Sequence, residues 1–185
     1  FVGFRKDTDE AVPEGCNFPE CSVRATIDTP WTVAFQEKRG GPEAPVTFDT
    51  LYDWTTSDDP RIKYFSGDAT YTNSFKLKKL PQGEIYVDLG KVMVMAKVKV
   101  NGEYAGGVWT APYRLNITNL LRKGVNTIEV EVVNCWRNRV IGEKEAIPAN
   151  ERFTFQTATY LNTDSELQPS GLLGPLEVQI YDDGE

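Results

Sequence analysis

The chain contains no histidine and only three cysteines, and both shortages exclude classes of chemistry. Without histidine, a Ser-His-Asp triad, a Cys-His pair or a histidine-containing zinc site cannot be built within the chain. Cys16, Cys21 and Cys135 form no CxxC pair, which excludes a dithiol redox motif and a four-thiolate metal site. Cys16 and Cys21 are near enough in sequence for a disulfide, but free thiols are the preferred interpretation.

Long apolar runs and an excess of positive charge are also missing. The longest purely apolar run, residues 92–96, is far shorter than the about 20 residues that a bilayer-spanning helix needs. Lys and Arg total 20 against 27 Asp and Glu, a net charge of −7 that has the wrong sign for binding nucleic acid or anionic lipid. We therefore expect neither a nucleic acid nor a membrane as a partner.

The chain is instead rich in short segments that alternate apolar and polar residues, the pattern of strands with one buried face. The dipeptide Asn101-Gly102 after one of these segments is a strong signal for a β-hairpin with a type I′ turn. The alternation predicts an all-β fold, an antiparallel β-sandwich with jelly-roll connections. The predicted strands are 31–35, 69–77, 85–89, 96–100, 103–109, 115–117, 126–134 and 176–181.

The remaining segments predict how the chain is divided. Residues 1–30 have little periodicity, and we expect a connector and the end of a preceding domain there, with the sandwich at 31–185. Short helical turns are predicted within 51–60 and at 118–124, the second ending on a Gly124 cap. Residues 135–170 are predicted as long loops with one short strand at 152–157.

Several ordered blocks of the sequence resemble a known module, the galactose-binding-like, or sugar-binding, β-sandwich of bacterial family 2 glycoside hydrolases. These blocks are YFSGDATY (64–71), VDLGKV (87–92), VNG (100–102), WTAPY (109–113), NIT (116–118) and GVNTIEV (124–130). Two later blocks are more particular and resemble the C-terminal region of family 106 α-L-rhamnosidases. They are NCWRNRVIGE (134–143) and SGLLGP (170–175).

The resemblance implies a parent enzyme rather than an activity of this chain. In such enzymes the catalytic carboxylates lie in a separate barrel domain, so we expect no catalytic residues here. The expected function is a non-catalytic accessory domain of a larger extracytoplasmic glycoside hydrolase, packing on the catalytic domain of the same polypeptide and contacting carbohydrate. The alternative is an autonomous carbohydrate-binding module. A third hypothesis, catalysis by two carboxylates of this chain, would require acids that flank a glycosidic bond.

Aromatic side chains are the first candidates for sugar contact, because the apolar face of a sugar packs well on an aromatic ring. Trp109, Tyr113, Trp136 and Tyr160 are the candidates, with core packing as the alternative for each. The cluster Trp136, Arg137, Asn138 and Arg139 adds two guanidinium groups, which suit direct sugar contact or docking on a neighbouring domain. A salt-bridged loop is the other alternative for this cluster.

Carboxylates offer weaker signals. Asp88, at a predicted strand end before Gly90, is a candidate ligand for a structural calcium ion, with a turn cap as the alternative. No other cofactor is expected. The run Glu143-Lys144-Glu145 is predicted to be solvated surface charge rather than part of a catalytic pair.

Overall fold

The structure, a computed structural model, describes residues 20–80, 82–155 and 161–182. The strands are β1 (Glu20–Thr26), β2 (Trp31–Phe35), β3 (Val46–Phe48), β4 (Asp68–Leu77), β5 (Glu84–Asp88), β6 (Lys91–Met93), β7 (Met95–Val100), β8 (Glu103–Val108), β9 (Arg114–Asn116), β10 (Gly124–Val133), β11 (Gly171–Gly174) and β12 (Glu177–Asp182). The helices are α1 (Pro60–Lys63) and α2 (Arg137–Glu145), with 3-10 segments at Glu37–Arg39, Trp54–Thr56, Thr118–Leu120 and Ala149–Glu151.

The strands form two main antiparallel sheets that share one hydrophobic core. A six-stranded sheet has the order β3-β2-β4-β10-β7-β8, and a four-stranded sheet has the order β1-β12-β5-β9. Strands β11 and β6 form a small separate pair. Side chains from both main sheets belong to the same buried cluster. The predicted antiparallel β-sandwich is therefore confirmed.

The alternation of the sequence explains why these segments form strands. In β10, Ile128, Val130 and Val132 are fully buried, whereas Glu129 and Glu131 point outwards. Successive side chains of a strand point to opposite faces, so this pattern buries one face against the other sheet. The same alternation holds in β4, β5 and β7.

The hairpin between β7 and β8 has the predicted turn. Asn101 and Gly102 have φ values of 54° and 84°, as a type I′ turn requires. The Asn101 side chain also donates to the carbonyl of Leu120 at 2.8 Å and to the side-chain oxygen of Asn126 at 2.9 Å. This asparagine therefore fixes the turn and ties it to the neighbouring loop.

One strand lies in the segment predicted as a connector. Residues 20–26 form β1, which pairs antiparallel with β12 at the edge of the four-stranded sheet. The strand lacked a sequence signal because it is largely exposed; Val23, its largest apolar residue, is half exposed. The rest of the predicted connector, including Cys16, lies outside the described residues.

Two local predictions require correction. The stretch 135–170 is not only loop, because α2 begins at Arg137, and residues 152–155 do not form the expected strand. The helix was not predicted because its buried face is largely polar.

The helical turn predicted at 118–124 is shorter than expected. It is a 3-10 segment that follows Ile117 and is capped at Leu121, and Gly124 begins β10 instead of ending a helix. The short helical turn expected within 51–60 is confirmed by the 3-10 segment Trp54–Thr56.

Candidate functional site

One end of the six-stranded sheet gathers most of the predicted site residues. Val133, near the end of β10, pairs with Met95, and the neighbouring Ala96 pairs with Val108 at the end of β8. Strands β8 and β10 therefore end on the same side of the sheet with only β7 between them, about 10 Å apart. Trp109 follows the first and Trp136 follows the second, so both tryptophans emerge from this end.

Trp136 presents an aromatic surface that is held in place from two sides. The guanidinium of Arg39 lies 4.9 Å from the centre of the Trp136 ring, and Phe153 meets the ring edge-to-face at 6.0 Å. The tryptophan nevertheless remains 43% exposed. A ring that is fixed and exposed offers a preorganised apolar contact surface.

Asn138, by contrast, is committed to the interior. Its side-chain NH2 group donates to the carbonyl of Gln168 at 2.7 Å and to the hydroxyl of Ser170 at 3.0 Å, and its oxygen accepts from the Gln168 backbone N–H at 2.8 Å. Neighbouring Arg137 is half-buried, and its Nε donates to the carbonyl of Glu166 at 3.0 Å. These two side chains fasten the segment 166–170 to α2.

Arg139 is also buried and pairs with Glu143 one helical turn further along. Its Nε lies 2.9 Å from the Glu143 carboxylate, and its Nη2 donates to the Glu151 carbonyl at 2.7 Å. The guanidinium stacks on the ring of Phe153 at 4.0 Å. The donors of Arg139 thus face inward, towards partners within the domain.

Glu143 is not the solvated charge that was predicted. Besides the pairing with Arg139, its carboxylate accepts the backbone N–H groups of Phe153 and Thr154 at 3.0 and 3.2 Å and the Thr154 hydroxyl. Burial acts to raise the pKa of this carboxyl, but these hydrogen bonds outweigh burial and the net pKa lies below its usual value. Such an acid stays ionised and is unsuited to donating a proton to a leaving group.

The other predicted aromatic candidates have different surroundings. Trp109 is 73% exposed, so it does not pack in the core. Tyr113 is partly buried against the core, and its carbonyl accepts the backbone N–H of Leu89 at 2.9 Å. Tyr160 lies outside the described residues.

The structure adds two phenylalanines that the sequence analysis missed. Phe153 touches Trp136, and Phe155, two residues further on, is 94% exposed. Their alternating spacing was read as a strand, whereas Glu143 fixes this stretch as an irregular segment beside α2. We call the exposed apolar residues of this region the aromatic end. They are Val94, Met95, Trp109, Trp136, Phe153 and Phe155.

The candidate calcium ligand Asp88 has partners within the fold. Its Oδ1 accepts the backbone N–H of Gly90 at 2.8 Å, the geometry of a turn cap, and its Oδ2 lies 3.5 Å from the Gln179 side-chain nitrogen. Among residues 20–80, 82–155 and 161–182, no group of three His, Cys, Asp or Glu side chains converges on a possible metal site. The contact with Gly90 matches the turn cap that was the alternative for Asp88, and calcium binding stays a prediction.

Comparisons with known proteins agree with the fold and with the sequence resemblance. The rhamnosidase of Novosphingobium sp. PP1Y is 38% identical and superimposes with a TM-score of 0.81 over 95% of this chain and 16% of that chain. A Formosa agariphila protein described as "Putative beta-glucuronidase" is 36% identical over 160 residues, 73% of this chain and 14% of that protein. The β-glucuronidase of Ruminococcus gnavus, at 18% identity and a TM-score of 0.60 over 92% of this chain and 30% of that chain, shares the fold.

The fold and these comparisons define a galactose-binding-like β-sandwich of the kind found in glycoside hydrolases. The family described as glycosyl hydrolase 2 galactose-binding domain-like matches residues 49–164, and the chain belongs to this family. It spans only 14–16% of the length of the two relatives with the higher identity, so it corresponds to a single domain-sized part of them. In the part of the chain that the structure describes, no helix is long and apolar enough to cross a membrane.

Proposed function

We propose that this chain is a non-catalytic accessory domain of a larger glycoside hydrolase, and that its aromatic end packs on the catalytic domain of the same polypeptide beside the bound carbohydrate. The observation that carries this proposal is the grouping of six exposed large apolar residues at one end of the sandwich. Exposed apolar residues that are gathered in one region, rather than scattered singly, usually mark an interaction site.

The polar layer beneath the aromatic end supports a role in docking. Asn138, Arg139 and Glu143 are buried and hydrogen-bonded, so they hold α2 and the segment around Phe153 in a fixed arrangement. A rigid contact surface loses little conformational freedom when it docks on a partner. The carboxylate of Glu143 is held ionised by its hydrogen bonds, which suits a structural role.

Oxidative footprinting of the full-length polypeptide and of this chain alone tests the docking. We expect Trp109 and Trp136 to be labelled less in the full-length polypeptide than in the isolated chain. Tyr104, 63% exposed on β8 near the hairpin at the opposite end, is the control and should be labelled equally in both. Equal labelling of both tryptophans in the two samples would contradict the docking.

The alternative, an autonomous carbohydrate-binding module, rests on the exposed face of Trp136. Isothermal titration of the isolated chain with plant-polysaccharide fragments separates the two functions. A purely docking surface should give no binding tighter than millimolar. Tighter binding that disappears in Trp136→Ala, with the thermal unfolding transition retained, would favour the autonomous module.

A further inference from the structure

A second candidate site lies on the outer face of the four-stranded sheet. A pocket of about 320 Å³ opens there, a volume within the range of small-molecule binding sites. Strands β5, β9 and β12 and the loop before β9 contribute its lining. The lining residues are Glu84, Tyr86, Pro112, Arg114 and Tyr181.

Two tyrosines and an arginine form the body of the pocket. Tyr86 and Tyr181 meet edge-to-face with ring centres 5.1 Å apart. The guanidinium of Arg114 lies 5.4 Å from the centre of the Tyr181 ring and donates a hydrogen bond to the Tyr181 hydroxyl. These contacts fix the rings against each other, as in a preorganised binding site.

A polar side chain is buried beside this aromatic pair, although it points away from the core. Val178 and Ile180 face the interior, so Gln179 between them points to the outer face, yet it is only 9% exposed. Its oxygen accepts the Tyr181 hydroxyl at 3.3 Å, and its nitrogen donates to Glu177 at 3.0 Å. A satisfied and buried glutamine on an outer face orients the ring of Tyr181.

Glu84 supplies an oriented acceptor in the lining of the pocket. Its two carboxylate oxygens accept the Tyr86 hydroxyl at 2.8 Å and the Asn116 side-chain nitrogen at 3.3 Å. The hydrogen bond from Tyr86 to this carboxylate raises the pKa of Tyr86. Each oxygen retains a second lone pair with which it can accept a ligand hydroxyl.

The charges around the pocket favour a neutral ligand over an anionic one. Arg114 is one positive group in the lining and Glu84 is one negative group. Asp88 and Glu177 lie directly opposite each other on the adjoining strands, and Arg114 pairs with Asp88 in register. Three carboxylates and one guanidinium leave this face with a net negative charge, which repels an anion.

We propose that this pocket binds one pyranose unit of a neutral saccharide. The apolar face of the sugar ring packs on the Tyr86–Tyr181 pair, while Glu84 accepts and Arg114 donates hydrogen bonds to its hydroxyl groups. A ring with one apolar face and several hydroxyls matches a pocket that combines aromatic surface with charged hydrogen-bonding groups. None of the lining residues belongs to the aromatic end, although Trp109 lies in the same loop as Pro112.

An NMR titration of the chain with methyl glycosides of galactose, glucose and rhamnose tests this site. We expect at least one of the three to bind in the millimolar range and to shift the backbone amides of Tyr86, Arg114 and Tyr181. Methyl glucuronide is the charged control and should bind more weakly. Absence of shifts with all three neutral glycosides, or tighter binding of methyl glucuronide, would overturn the proposal.

Variants separate this pocket from the aromatic end. Tyr86→Ala should weaken binding about tenfold. Arg114→Gln should weaken it as well. Tyr104→Ala, which removes an exposed tyrosine outside the pocket, should leave the affinity unchanged. If Tyr86→Ala retains its thermal unfolding transition and binds as tightly as the unaltered chain, the assignment is wrong. Binding abolished by Trp136→Ala would place the saccharide at the aromatic end instead.

Discussion

The Nε of Arg139 lies 2.9 Å from the carboxylate of Glu143, one turn along α2, and both side chains are almost completely buried. This ion pair supports the aromatic end from beneath. Arg139 stacks on Phe153, Glu143 binds the Phe153 backbone N–H, and Phe153 in turn packs against Trp136. The exposed ring of Trp136 is therefore positioned by two charges that a ligand does not reach.

Breaking this pair should destabilise the domain strongly. Arg139→Met removes one partner and leaves the Glu143 charge buried, which typically costs about 3–5 kcal/mol. Urea unfolding measures the loss. The double variant Arg139→Met, Glu143→Leu is the control, because it removes both charges and should lose less than the sum of the two single variants. Additive losses would show that the two side chains are not coupled.

Acid should weaken the domain through the same carboxylate. Because the pKa of Glu143 in the folded protein lies below its ordinary value of 4.5, its contribution to stability is present above about pH 4.5 and is lost as pH falls through the folded-state pKa. Glu143→Gln should therefore reduce the pH dependence of the unfolding free energy in this acidic range. The measurement is urea unfolding at a series of pH values.

The matched control for the acid experiment is Glu151→Gln. The side chain of Glu151 is exposed, and Arg139 uses only its backbone carbonyl, which the substitution retains. This variant should keep the pH dependence of the unaltered chain. An unchanged slope in Glu143→Gln would mean that another group causes the loss of stability in acid.

The strands were predictable because each of them buries one regular face. Alternation located β4 and β10 to within two residues, and the Asn101-Gly102 dipeptide located the hairpin. Strand β1 could not be found in this way, because an edge strand that is largely exposed needs no apolar face. Its position depends on pairing with β12, a contact between distant parts of the chain.

The candidate site was only partly predictable, because residue type does not reveal which way a side chain points. Trp136 was selected for its aromatic ring, and it is indeed exposed. Asn138 and Arg139 were selected for their hydrogen-bonding groups, yet these groups bind the protein itself. The spacing of Arg139 and Glu143 at i and i+4 was the available signal for a helix with a paired polar face.

The hydroxyl of Tyr71 should be important for stability although it belongs to neither candidate site. It accepts hydrogen bonds from the Trp54 indole N–H at 2.6 Å and from the Leu172 backbone N–H at 3.2 Å, all in the core. Tyr71→Phe leaves two buried donors without a partner, at about 1–3 kcal/mol each. Urea unfolding should show the loss. Tyr104→Phe, on an exposed side chain, should change stability by less than about 0.5 kcal/mol.

Gly142 should be the most restrictive position of α2, for steric rather than conformational reasons. A Cβ atom built there would lie 2.3 Å from Cγ of the buried Tyr64 ring, which cannot withdraw. Gly142→Ala gains about 1 kcal/mol of helix propensity but must force the helix away from the sandwich, and overpacking typically costs about 1–3 kcal/mol. We expect a net loss of thermal stability. We also expect Trp136 to be less protected from oxidation in the full-length polypeptide than it is without the substitution.

Gly107→Ala is the control, since its nearest neighbour, the Tyr104 hydroxyl at 3.4 Å, belongs to a flexible exposed side chain. A Gly142→Ala variant as stable as Gly107→Ala would show that α2 is not seated closely on Tyr64.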